Sequence, residues 1–353
     1  MTDQTTETTP GRGTTTSAAD VLMLAFGPEH YLHEAVAAVL ASEGVDVRVV
    51  LVDNGCTTDA VATLPPDPRV RLIVPGTNLG FTGGMNAAAA ATAGRPVVLV
   101  NSDAVVAPDA VATLVGALAA DPRLGVAGGL VRLASDPDRV NSAGNPLHVL
   151  GLCWAGGLEE PVAAHATGRE VASASGALVA VDRALWDELG GFPEEFFAYM
   201  EDLELSWRAW QHGRTVRYVP EASAVHHFEF SRSPLKMYLL ERNRLLFVLT
   251  TYQARTLALL AVPLLAFEVA MLAVATAQGW GRQKVRGWGW VLRHPGVVRR
   301  RRRTVQESRT VPDRDLAHLM TDTFDSAQFP LPAAAAPVQG LLRLWWRLAR
   351  RAL

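Results

Sequence analysis

Pro96-Val97-Val98-Leu99-Val100-Asn101-Ser102-Asp103 is the stretch whose reading decides the fold. Four apolar residues run without a polar break, and an acid stands just past their end. Such a run, bounded by turn residues, predicts a strand buried on both faces. Open parallel sheets bind ligands at the carboxyl ends of their strands. Asp103 is therefore a candidate metal or nucleotide ligand, with a helix cap as the simpler alternative. A helix opening near Pro108 has its own start signals in Pro108-Asp109, which weakens the capping reading.

Upstream, Val21 to Phe26 reads as a first buried strand closed by Gly27-Pro28. A helix follows, with Tyr31, Leu32, Ala35, Val36, Val39 and Leu40 at helical spacing, ended by Gly44. Val47 to Val52 is a second strand that delivers Asp53-Asn54-Gly55, and Val70 to Val74 a third. A glycine-rich turn, Asn78 to Asn86, opens an alanine-rich helix. Strand, helix, strand, strand, helix, strand is the grammar of an open, mostly parallel α/β sheet. Downstream lie short β-like pieces at 125–133 and 174–181, a helix at 182–189, another over Phe196 to Gln211, and a last strand at 216–219 before Pro220.

The chain has 353 residues, 49% of them hydrophobic, and a net charge of −2. Residues 278–353 carry fifteen Lys/Arg and five Asp/Glu, a net of +10, leaving −12 for the rest. An acidic body with a basic end suggests contact with an anionic surface, membrane or nucleic acid. Limited aromatic interleaving among the arginines argues against nucleic acid. Two distant cysteines, Cys56 and Cys153, exclude a disulfide framework or CxxC metal site and fit a reducing compartment. Residues 1–19, rich in Thr, Gly and Ser without an apolar core, read as a disordered tail rather than a signal peptide.

Leu257 to Ala277 is long and apolar enough to span a bilayer. Basic residues on both sides, Pro263 and the single carboxylate Glu268 favour a bent or interfacial insertion with both ends on one side. Arg299 to Arg303 follow. In the final helix Leu341, Leu342, Trp345, Leu348 and Leu353 share an apolar side suited to a membrane surface, with Arg343, Arg347, Arg350 and Arg351 mainly off it. The rival is a packing helix pair in a soluble protein. The chain divides into a tail (1–19), a catalytic domain (20–250), apolar-then-basic helices (251–303) and a linker with a C-terminal amphipathic helix (304–353).

Four further groups bear chemistry. Asp53-Asn54 offers hydrogen-bond acceptors after a strand, or simply an Asx-turn. The turn holding Asn78, Gly80, Gly84 and Asn86 suits a phosphate at a helix N-terminus, or is only a tight turn; it is not GxGxxG. Glu201-Asp202 lies at a helix start, where acids are favoured. Its aromatic and apolar neighbours would also raise a carboxylate pKa and suit a general base. His226, next to His227, follows the last strand and either completes a metal site with Asp103 or is an ordinary structural histidine.

Taken in order, these pieces resemble an inverting glycosyltransferase of family 2. The matching stretches are Val52 to Gly55, Asn78 to Asn86, Val100 to Asp103, Gly190 to Phe197, Tyr199 to Asp202, and Val219 through His226. The Asn78 turn and Arg242-Asn243-Arg244-Leu245 look most like the bacterial rhamnosyltransferase branch. The resemblance implies a glycosyltransferase A-type open mixed sheet, with a nucleotide-binding Rossmann-like half, an acceptor half and a membrane-associating helical C-terminal region. It implies that Asp53 and Asn54 meet the nucleotide, that Asn78, Gly80, Gly84 and Asn86 shape the nucleotide-sugar pocket, and that Asn101-Ser102-Asp103 holds the diphosphate end. Asp103 and His226 would bind a divalent cation, magnesium or manganese. Asp202 would be the general base, with Glu201 orienting acceptor or base. Donor and acceptor would be a nucleotide-diphosphate sugar such as deoxythymidine-diphosphate-rhamnose and a lipid-linked or cell-envelope glycan, at the cytoplasmic face of the plasma membrane. The relatives usually carry a polar pair where Phe26-Gly27 stands, and Asn101 occupies the first position of the metal motif. Rival readings are a nucleotidyltransferase, for which Gly27-Pro28-Glu29-His30 lacks the basic glycine loop, and a non-catalytic membrane-bound scaffold.

Overall fold

The computed structural model describes residues 17–227, 233–324 and 336–353. In chain order the first half is β1 (Ser17–Gly27), α1 (Leu32–Leu40), β2 (Val45–Cys56), β3 (Val70–Ile73), α2 (Gly80–Ala90), β4 (Val97–Val100), β5 (Ala104–Val106) and α3 (Ala110–Ala120). The second is β6 (Leu124–Leu133), β7 (Asp136–Ser142), β8 (Leu147–His148), β9 (Arg169–Glu170), β10 (Leu178–Val181), α4 (Arg183–Leu189), α5 (Glu201–Gln211) and β11 (Thr215–His226). Main-sheet order is β3-β2-β1-β4-β10-β6-β11-β5, with β7 on β6 and β9 on β11. β1 to β4 run parallel, and antiparallel β10 joins this half to the mixed half.

The deciding stretch is buried on both faces, as expected. Val97 and Leu99 of β4 enter one apolar core and Val98 and Val100 the other, all inaccessible to solvent. Leu22 against Val21 and Met23 in β1, and Val50 and Val52 against Val49 and Leu51 in β2, divide the same way. That two-sided burial is why the strands read as unbroken apolar runs.

Three expectations within the sheet domain need correction. The tail boundary is late by three residues, because Ser17, Ala18 and Ala19 already pair with β2; residues 1–16 lie outside the described residues. The helix expected from Phe196 begins at Glu201, because Phe197, Tyr199 and Met200 hold left-handed φ of 64°, 70° and 68°. The last strand does not stop before Pro220 but runs to His226. Its register against β6 jumps between Val219 and Ser223, so Pro220, which lacks an N–H, sits in a bulge and removes no ladder bond.

The remaining elements are α6 (Pro234–Thr251), α7 (Ala254–Ala277), α8 (Gly281–Arg293), α9 (Pro295–Ser308), α10 (Asp313–Leu316), β12 (Met320–Thr321) and α11 (Ala336–Ala352). They close onto the sheet domain. β12 pairs with β8, and the amides of Thr310 and Val311 donate to the Gln211 carbonyl. Glu268, alone in its apolar helix, faces inward. It pairs with Arg244, with Lys284 at 3.0 Å, and accepts from Trp288 Nε1 at 2.6 Å, while Glu241 takes Lys284 at 2.6 Å. Burial raises the Glu268 pKa, but the charges of Arg244 and Lys284 outweigh it and hold the carboxyl below its usual range. The opposite side of α7 leaves Val262, Leu265 and Val269 exposed.

The Arg299–Arg303 run is not one outward basic face. Arg301 turns in to Glu204, and Arg302 donates to the carbonyls of Leu249 (2.6 Å) and Tyr252 (2.8 Å). In α11 the buried residues are Leu342, Trp346 and Ala349, with Trp345 Nε1 donating to the Leu259 carbonyl of α7 at 2.8 Å. Leu341, Leu344 and Leu348 stay outward, so the apolar side expected to be continuous is divided between docking on α7 and solvent.

Candidate active site

β2 delivers Asp53 and Asn54 to the carboxyl end of the sheet. Asp53 Oδ1 accepts from the amides of Gly55 (3.1 Å) and Cys56 (2.9 Å), which makes the Asx-turn. Its Oδ2 has no protein partner among the described residues. Asn54 is buried, and both ends of its amide bind the next turn. Its Nδ2 donates to Asn78 Oδ1 (2.9 Å) and the Gly80 carbonyl (3.2 Å), and its Oδ1 accepts from Leu79 N (2.8 Å). Asn78 Oδ1 also accepts from Gly80 N at 2.8 Å. Asn54 and Asn78 thus build the turn between them.

Gly80 has φ +70°, and a Cβ there would lie 2.4 Å from the Phe197 carbonyl oxygen, so only glycine admits the contact. Gly84 packs on Leu24 of β1. Asn86 is engaged twice with Phe192, Nδ2 to the carbonyl and Oδ1 from the amide, both at 2.9 Å. Gly84 and Asn86 therefore position the glycine turn and the 190–197 loop.

Asp103 lies between β4 and β5 and caps no helix. Its Oδ1 is 3.0 Å from His226 Nε2. On its other edge His226 Nδ1 meets Asn141 Oδ1 at 2.9 Å, and Asn101 Nδ2 approaches Nε2 at 3.4 Å. An Nδ1–H given to Asn141 Oδ1 would leave the Nε2 lone pair free for a cation held beside Asp103. The adjacent histidine is separated from this role: His227 stacks on Tyr31, centroids 3.6 Å apart, and its amide donates to the Asp103 carbonyl at 2.9 Å.

A carboxylate oxygen facing an imidazole lone pair fits a divalent cation. Among the described residues no group of three or more His, Cys, Asp or Glu could hold a metal. A divalent cation here would take two ligands from the protein and the others from diphosphate and water, as hard cations with phosphate ligands accept.

Asp202 sits beside this cluster. Its Oδ2 accepts from Gly176 N at 3.3 Å and its Oδ1 from Leu203 N at 2.7 Å. The next carbonyl, that of Ala177, accepts from Asn101 N at 3.2 Å, so one short loop links Asp202 to the Asn101–Asp103 turn. Burial raises the pKa of both carboxyls, and the neighbouring Asp202 charge raises Glu201 further. Glu201 Oε2 is buried without a protein partner.

Sequence reasoning missed the support of this pair. Asn243 Nδ2 lies within hydrogen-bonding distance of the carbonyls of Phe196 (3.0 Å), Ala198 (2.8 Å) and Tyr199 (2.8 Å), and Arg242 donates to those of Glu195 (2.7 Å) and Phe196 (2.8 Å). These contacts hold the left-handed residues ahead of Glu201. The motif was visible as Arg242-Asn243, but nothing local showed its target. Glu29 was missed as well: its Oε1 accepts from Phe26 N (2.8 Å) and Ser102 Oγ (3.0 Å), and burial raises its pKa. An acid just after the first strand was the available signal.

Fold and site together define a glycosyltransferase with the A-type fold. GalNAc-T7, solved with UDP, GalNAc and Mn2+, superposes with a TM-score of 0.53 at 15% identity, over 70% of this chain and 51% of that one. The chain thus spans about half the length of that structure, and the likeness is one of fold. The chain belongs to the family described as Glycosyltransferase like family 2, which matches residues 19–247. It is 30% identical over 238 residues to the N-acetylglucosaminyl-diphospho-decaprenol L-rhamnosyltransferase of Mycobacterium tuberculosis, 60% of this chain and 76% of that protein. A shorter match, 41% over 91 residues, covers 25% of this chain and 26% of the succinoglycan biosynthesis protein ExoO of Rhizobium meliloti.

Proposed function

We propose that this glycosyltransferase moves a sugar, with inversion, from a nucleotide-diphosphate sugar to a hydroxyl of a lipid-linked cell-envelope glycan. The rhamnosyltransferase relative supports rhamnose as the sugar, and the donor we propose is deoxythymidine-diphosphate-rhamnose. The observation that carries the reading is the link from Asp202 through Gly176-Ala177 to Asn101 and the Asp103–His226 couple. We read it as a half-buried base beside a diphosphate-binding corner. Asp202 takes the proton of the acceptor hydroxyl. The freed oxygen bonds to the anomeric carbon on the face opposite the nucleotide, and the bond to the diphosphate breaks as the nucleoside diphosphate leaves. A pKa raised by burial suits that base, and a positioned base contributes about 10² to 10⁴ in rate. Asp53 Oδ2 faces the nucleotide. Asp103 and His226 would hold a divalent cation, magnesium or manganese, whose charge favours departure of the diphosphate.

The catalytic domain works from the cytoplasmic face of the plasma membrane, with α7 lying in the interface. Among the described residues one helix, Ala254–Ala277, is long and apolar enough to cross a membrane. Its inward Glu268, tied to α6 and α8, and its outward Val262, Leu265 and Val269 support a monotopic seat. Incubation with a panel of nucleotide sugars should release nucleoside diphosphate, and Asp202→Asn should abolish transfer while nucleotide binding persists. Ordinary turnover by that variant would remove Asp202 from its role. Val262→Gln/Leu265→Gln/Val269→Gln should release the protein from vesicles containing phosphatidylglycerol; undiminished binding would refute the interfacial seat.

A further inference from the structure

The cleft between the end of α7 and α8, about 640 Å³, is lined by Leu272, Thr276, Arg282, Val285, Arg286 and Arg293 among others. Arg282, Arg286 and Arg293 are spaced i, i+4 and i+11 along one side of α8, with Gly289 between them at i+7. Among the described residues none of the three has a carboxylate partner. Their neighbours Arg244, Lys284 and Arg301 all do. The segment 278–303 contains no acid at all. Three uncompensated guanidiniums around one concavity form a site for a compact group with several negative oxygens.

The cleft has a second character. Val262, Leu265 and Val269 are all exposed, and their helical spacing carries on through Leu272 to Thr276 at the cleft. An apolar track therefore leads into a basic pocket. Arg286 lies over Tyr238 at 5.0 Å. Tyr238 belongs to α6, which also carries Arg242 and Asn243, the residues holding the loop before Glu201-Asp202. The cleft is thus one helix removed from the base.

We infer that this cleft receives the diphosphate and first isoprenoid units of a polyprenyl-diphosphate-linked acceptor, with the Arg282–Arg286–Arg293 side of α8 on the phosphates and the outer stripe of α7 along the chain. The inference rests on the lipid-linked acceptor proposed above. A concave site of headgroup size favours one bound amphiphile over the flat array of a bilayer, which needs no cleft.

Farnesyl diphosphate in neutral detergent micelles is the probe, with farnesol and inorganic diphosphate as partial mimics, titrated into the full chain. Farnesyl diphosphate should bind at least about tenfold tighter than either mimic, because both halves of the site are then engaged. Arg282→Gln/Arg286→Gln/Arg293→Gln should lose that preference. The corresponding Lys triple variant should recover much of it, and Arg299→Gln/Arg343→Gln/Arg347→Gln, the same charge loss elsewhere, should keep it. Unchanged farnesyl diphosphate binding by the Gln triple variant would overturn the assignment. So would loss of binding to phosphatidylglycerol vesicles alone, which would make the arginines a bilayer contact. Nucleoside diphosphate release by the unaltered protein separates the two readings. If it is absent while the probe binds through these arginines, transfer fails and the site stands; if it is present while the probe ignores them, the site fails.

Discussion

Replacing Asn243 by alanine tests whether α6 sets the geometry of the base. In the structure Asn243 Nδ2 reaches three carbonyls of the 196–199 loop, and its Oδ1 accepts from Arg242 at 3.0 and 2.8 Å. Phe197, Tyr199 and Met200 adopt left-handed backbone without being glycine, a conformation that costs on the order of 1–3 kcal/mol each and persists only where surroundings enforce it. Taking away the two hydrogen bonds its Nδ2 hydrogens can make and the Arg242 contact of its Oδ1, at about 1 kcal/mol each, removes ~3 kcal/mol of that enforcement. At 1.36 kcal/mol per tenfold, the productive loop falls by about 10². Asn243→Ala should therefore lower kcat about 10²-fold. The donor turn touches this loop at Gly80 and Thr82 but keeps its own hydrogen bonds from Asn54 and Asn78, so nucleotide Kd should change much less than kcat, by about threefold. Single-turnover transfer and nucleotide titration measure the two quantities, and the kcat pH profile should move because the environment of Asp202 is loosened. A kcat within about threefold of the parent, or an equal loss in nucleotide affinity, would refute the reasoning.

Glu201→Gln should stabilise the protein at pH 8. The folded carboxyl holds a proton above the ordinary value of 4.5, so folded stability falls as pH rises from there through the raised value. Thermal unfolding should show a gain at pH 8 that vanishes toward pH 4, and a gain independent of pH would contradict the burial argument. Asp103→Ala should weaken donor binding only when magnesium or manganese is present; calorimetry showing equal loss in chelator would remove the cation from that corner. Glu268→Leu leaves Arg244 and Lys284 with only Glu241, and breaking a buried ion pair costs about 3–5 kcal/mol, so urea unfolding should shift by an amount of that order. An unshifted midpoint would mean α7 is not held at Glu268.

Much of the fold was legible because its signals are local. Unbroken apolar runs in β1, β2 and β4 record burial on two faces, and Asp53, Asp103 and His226 are found at strand ends where an open sheet puts ligands. Glu201-Asp202 was legible as an acidic pair in apolar surroundings; the structure buries Glu201 and half-buries Asp202. The loop before it was read as helix because nothing in Phe196 to Met200 announces left-handed backbone; that conformation is imposed by Asn243, more than forty residues on.

By itself, then, the sequence determined the α/β class, the succession of the main strands along the chain and which loops hold the candidate site residues, since hydrophobic periodicity and turn residues act over a few positions. Tertiary structure alone decided partners. His226 rather than His227 meets Asp103 across 123 residues, and Asn54 turns from ligand contact to stitching a turn. Glu268 becomes the pin of α7, and Arg301 turns inward while Arg282, Arg286 and Arg293 stay uncompensated. A charge in a sequence has no neighbours beyond its own helix or strand; its pKa, its exposure and its function follow from groups that only folding brings within reach.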